Sequence, residues 1–65
     1  MKTLYDVQQE LKRFGSFIYT GNRKADLELM HDEIQELFQN GLLDRTQYMS
    51  ALLILRGELR KCPKE

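Results

Sequence analysis

The sequence predicts an all-α protein, a compact three-helix bundle. Three observations carry that expectation. Apolar residues recur at helical spacing in three separate stretches. Each stretch follows a residue whose short polar side chain can accept from the free amides of a first helical turn: Thr3, Asn22 and Asp44. The strand-like run Phe17-Ile18-Tyr19-Thr20 has no second run with which to pair.

Helix one is expected over about 3–14. Leu4, Val7, Leu11 and Phe14 form its stripe. Asp6 lies three residues after Thr3, where a negative charge complements the first free amides. Gly15 can adopt the left-handed conformation that ends a helix. Residues 15–22 read as an ordered loop, with a turn at Thr20-Gly21-Asn22. In the simplest packing, Phe14 and Phe17 join the core, Ile18 lies under the turn and Tyr19 stays partly exposed.

Helix two is expected over about 23–40. Leu27, Met30, Ile34, Leu37 and Phe38 are its stripe, and Asn40-Gly41 its stop. Helix three is expected over about 45–61, with Gln47 placed to return a bond to the Asp44 cap. Tyr48, Ala51, Leu52, Leu55 and Leu59 form its main face, and Pro63 lies just beyond its end. Met49, Leu53 and Ile54 lie off that face. A helix apolar over more than one stripe is either central to a bundle or part of an interface.

Sixty-five residues are expected to form one domain, 1–65, with a marginal core. The single cysteine, Cys62, allows no internal disulfide and no multi-thiolate metal site. It suits a reducing compartment and is read as inert. The start, Met1-Lys2-Thr3-Leu4-Tyr5-Asp6, lacks the apolar run of a signal peptide, and no stretch approaches a membrane span. The expected location is the cytoplasm, with no membrane partner.

The formal net charge of zero conceals a sorted pattern. Residues 1–24 carry five basic and two acidic side chains, a balance of +3. Residues 25–44 carry six acids and no Lys or Arg, and residues 45–65 return to +3. A basic patch can attract polyanions even where net charge is zero. The same sorting also lets an acidic helix sit between two basic ones.

The runs Tyr5-Asp6-Val7-Gln8-Gln9, Phe14-Gly15, Ile18-Tyr19-Thr20-Gly21, Ala25-Asp26-Leu27-Glu28-Leu29-Met30 and Ile54-Leu55-Arg56 carry a resemblance over nearly the whole chain. The chain resembles the YqgQ-like family of small bacterial cytosolic proteins. The resemblance implies a compact three-helix fold. It implies little about activity beyond a suggested role in single-stranded nucleic-acid binding, and it brings no agreed set of functional residues. Asn22, where Asp is an expected alternative, keeps the capping chemistry and makes that end less acidic.

From Lys12 to Lys24 the chain combines four cations, three aromatics and two glycines. Single-stranded nucleic-acid sites use this chemistry: cations hold phosphates and aromatic faces stack bases, at about 1–3 kcal/mol per base. Lys12, Arg13, Arg23, Lys24 and Arg56 are the candidate phosphate contacts and Tyr19 the candidate stacking ring. Asn22, with the amides after it, is a candidate anion site at a helix start. Arg56 and Arg60 are four apart on one helical face and would extend a basic groove if helix three lay beside the loop. Against this stands the plainer reading, in which the aromatics pack and the cations are solvated.

Glu28 and His31 share a face, but a di-iron site needs two such pairs and further carboxylates, so no metal is expected. Gly21-Asn22-Arg23-Lys24 lacks the ending and the preceding strand of a phosphate-binding P-loop. No nucleophile, base and orienting group stand together, so neither an enzyme nor a cofactor is expected. The expected function is binding of single-stranded RNA or DNA. The rivals are an adaptor or homo-oligomer acting through Met49 and Leu53, and an acidic docking surface on helix two.

Overall fold

Each helix begins on the side chain chemistry of its cap. The computed structural model describes residues 2–61. In α1, Leu4–Arg13, Thr3 Oγ1 accepts from the Asp6 amide at 3.3 Å, and Asp6 Oδ2 accepts from the amides of Lys2 at 2.9 Å and Thr3 at 3.2 Å. This reciprocal capping box satisfies donors that a helix start otherwise leaves free. In α2, Arg23–Gln39, Asn22 Oδ1 accepts from the Ala25 amide at 3.0 Å. In α3, Arg45–Lys61, Asp44 Oδ1 accepts from the Gln47 amide at 2.7 Å and Gln47 Oε1 accepts from the Asp44 amide at 3.4 Å. Pro63 and Cys62, expected beyond helix three and expected inert respectively, lie outside the described residues.

The ends of α1 and α2 use glycine. Gly15 and Gly41 hold φ of 83° and 75°, a left-handed conformation costly for other residues. Two bonds close each end: Gly15 and Ser16 amides donate to Lys12 and Leu11 carbonyls, and Gly41 and Leu42 amides to Phe38 and Leu37 carbonyls. This paired pattern is the Schellman motif. The turn at Gly41 makes α2 and α3 antiparallel neighbours. Phe38 and Tyr48 stack beside that turn with ring centroids 4.1 Å apart, and Arg23 meets Glu58 at the far end.

All three helices contribute to one core. Val7 and Leu11 come from α1, Leu27, Met30, Ile34 and Leu37 from α2, and Ala51, Leu52 and Leu55 from α3. Leu43, just before the Asp44 cap, is also buried. It occupies the staple position opposite Tyr48, which packs against the same cluster. No strand occurs among the described residues. The fold is an all-α three-helix bundle.

Two expected packing residues are not core. Phe14 serves as the C-cap of α1 and is 36% exposed, and Phe17 is 76% exposed. The cause is the Gly15 turn, which ends the helical register before Phe14 can continue the Val7–Leu11 stripe. Ile18 packs against the core as expected.

Two partly exposed carboxylates are held below their ordinary pKa. Asp6 is lowered by the backbone amides of Lys2 and then Thr3, and Glu58 by hydrogen bonds from Arg23 and then Lys61. A carboxylate with a depressed folded pKa contributes stability above its unfolded pKa and loses it as pH falls through the folded value. Melting midpoints are therefore expected to fall below about pH 4. The doubly substituted Asp6→Asn, Glu58→Gln protein should show a shallower acid-side decline. An equal decline in both proteins would show that neither carboxylate is linked to folding.

Candidate nucleic-acid interface

The loop between α1 and α2 is tied down at both ends. Ser16 Oγ donates to Glu33 Oε2 at 3.0 Å. Thr20 donates twice to Asp26 Oδ1, from its amide at 2.6 Å and its hydroxyl at 2.7 Å. The Asn22 amide returns a bond to Thr20 Oγ1 at 3.2 Å. Residues 16–20 are thus strapped along α2 by two of its acids. Ser16, Ile18 and Thr20 are anchored to the protein. Phe17 and Tyr19, the alternate residues, point into solvent at 76% and 88% exposure.

Hollows flank the strap. One of about 350 Å³ is lined by Lys12, Ser16, Phe17, Ile18 and Tyr19, with Gln8, Leu11 and Met30 behind them. A second, of about 270 Å³, lies on the other side of Tyr19 and includes Gly21, Arg23 and Asp26. Tyr19 stands between them, with a cation on each side. Asp26 weakens the pull on an anion in the second hollow. Lys12 faces no acid in the first and is the better-placed cation.

The remaining sequence-predicted residues divide. Arg13 is held by Glu10 of its own helix at 3.2 Å. Arg23 is held by Glu58 Oε1 at 2.7 Å, and Lys61 bonds the other oxygen of the same carboxylate at 3.2 Å. Pairs at a protein surface are weak, so a phosphate could compete for either arginine. Arg23 and Lys24 occupy the first turn of α2, where the helix dipole disfavours positive charge. The Glu58 pair offsets this for Arg23. Lys24 is exposed, with no hydrogen-bond or ion-pair partner among the described residues. Asn22 is engaged in capping and supports the turn rather than presenting its oxygen to a ligand.

Arg56 does not extend the strap. It lines a separate hollow of about 250 Å³ with Glu28, His31, Asp32 and Leu59, on the acidic flank of α2. Arg60, four residues on, is exposed on that same face of α3. The groove that was conditional on helix three lying beside the loop does not run through the Arg56 hollow, where the α2–α3 pairing sets that arginine among the acids. Phe17 is the exposed ring of this segment that the sequence reading placed in the core. Its signal was available in the alternation Ser16, Ile18, Thr20 against Phe17, Tyr19.

The described residues hold no group of three or more His, Cys, Asp or Glu able to bind a metal. No helix among them is long and apolar enough to cross a membrane. The YqgQ-like family model matches residues 1–61. This chain belongs to the YqgQ-like family. A relative from Bacillus subtilis (strain 168), named uncharacterized protein YqgQ, is 44% identical over 61 residues. The match covers 94% of this chain and 86% of the relative. In this YqgQ-like chain the strap presents Phe17 and Tyr19 beside Lys12.

Proposed function

We propose that this YqgQ-like protein is a small non-catalytic, cytoplasmic protein that binds single-stranded nucleic acid through the 12–24 segment. The observation that carries the reading is the outward presentation of Phe17 and Tyr19 beside Lys12. Burying those rings would have removed the stacking surface. Lys12 and Lys24 act as the principal phosphate contacts. Arg13 and Arg23 join by exchanging a surface carboxylate for a phosphate, and Tyr19 stacks a base. RNA and DNA share these features, so the reading covers both.

A titration with a single-stranded oligonucleotide at rising salt tests this. Affinity should fall linearly on logarithmic axes, with a slope of about 0.7 per phosphate held. Absence of binding at low salt would defeat the proposal.

One observation favours a second reading. Met49 and Leu53 lie one turn apart on α3 and are 49% and 67% exposed. As an adaptor or homodimer surface, they predict self-association that weakens in the Met49→Ser, Leu53→Ser protein. Sedimentation showing a monomer at every concentration would remove the homodimer.

A further inference from the structure

We propose that Phe17 and Tyr19 form a clamp that takes one unstacked base of a single strand between their two rings. This rests on the nucleic-acid reading and specifies how the site grips its ligand.

The spacing of the rings follows from the way the strap is anchored. Its tethers on α2, Asp26 and Glu33, are seven residues apart, a rise of about 10.5 Å at 1.5 Å per residue. Ser16 and Thr20 are four residues apart, and extended chain covers about 13 Å over that distance. An extended run of the strap matches the spacing of its tethers. Anchored Ser16, Ile18 and Thr20 alternate with outward Phe17 and Tyr19 in the manner of such a chain. Residues two apart in extended chain emerge on the same side, separated by about 6.6 Å. Aromatic planes stack at about 3.4 Å, the spacing of successive bases along a strand. A gap of about 6.6 Å thus admits one planar group in contact with both rings.

The gap is open. The ring contact among the described residues is Phe38 with Tyr48, and neither Phe17 nor Tyr19 stacks on a neighbour. The cations suit a nucleotide better than a neutral aromatic ligand. Lys12 lines the hollow that both rings border, and Arg23 lines the hollow beyond Tyr19. A strand threaded past the strap would bring the phosphates on either side of the gripped base to these two cations. The clamp holds the base by its faces and leaves its edges unread, so it tolerates sequence. A paired base cannot enter without leaving its stack, so it favours single strands.

The test separates the clamp from two independent stacking platforms and from charge alone. Three strands of equal length are titrated at low salt: all thymidine, wholly abasic, and abasic with one central thymine. Binding is read with the ring-proton resonances of Phe17 and Tyr19. The clamp predicts that one thymine moves both sets of resonances together. It also predicts binding about 5- to 150-fold tighter than to the wholly abasic strand. Phe17→Leu, which stays apolar but loses the ring, should reduce that advantage while leaving affinity for the abasic strand unchanged. Movement of one ring alone would overturn the clamp in favour of a single stacking platform, and equal binding of all three strands without ring shifts would overturn it in favour of charge-driven binding. Failure of every strand to bind would overturn both.

Discussion

Leu55→Ala is expected to lower unfolding free energy by about 2–5 kcal/mol. Leu55 is fully buried on α3 among side chains from all three helices. Its truncation loses the transfer energy of the removed carbons and leaves a cavity that a small core closes only in part. For 65 residues total stability is roughly 3–10 kcal/mol, so the loss is a large fraction of the whole. At about 4–8 °C per kcal/mol for a domain this size, the midpoint should drop by roughly 10 °C or more. Leu53→Ala, two residues away on the exposed side, should change it little. Equal effects from the two substitutions would contradict the assigned orientation of α3.

The helices were legible because their signals are local. Thr3 with Asp6, Asn22, and Asp44 with Gln47 all cap as their chemistry requires, and Gly15 and Gly41 close helices in left-handed conformations. The buried stripes of α2 and α3 follow from helical period. Leu43 was missed because it lies outside any helix, so no period marks it; its place before a cap was the available signal. Phe14 and Phe17 were misplaced because hydrophobicity alone does not show where a chain turns. The strap depends on Ser16 reaching Glu33 and Thr20 reaching Asp26, pairings that the assembled bundle decides. Arg56 was drawn toward the loop by its charge, whereas the α2–α3 pairing places it beside Glu28 and Asp32.

The second large expected effect concerns binding. The Lys12→Ala, Lys24→Ala protein should bind single strands more weakly at every sequence. If both lysines hold phosphates, the logarithmic salt slope should flatten by about 1.4, or roughly 0.7 for each lysine removed. The counterion release of two such lysines corresponds to a weakening on the order of 25-fold at 0.1 M salt. Both cations are exposed and separate from the core, so the melting midpoint should hardly move. Tyr19→Ala should behave differently, lowering affinity while keeping the slope, since stacking releases no counterions. Identical slopes for the lysine variant and the unaltered protein would remove both residues from the phosphate path.

The claim that bases as well as charge are recognised has a direct test. The protein is titrated at one fixed salt concentration with a single-stranded oligonucleotide and with inorganic polyphosphate of the same number of charges. Polyphosphate offers the anions without the bases. The strap with its two exposed rings predicts tighter binding of the oligonucleotide, by at least the roughly fivefold that one stacked base contributes. Equal affinity for the two polymers would contradict it and reduce the site to a patch of positive charge.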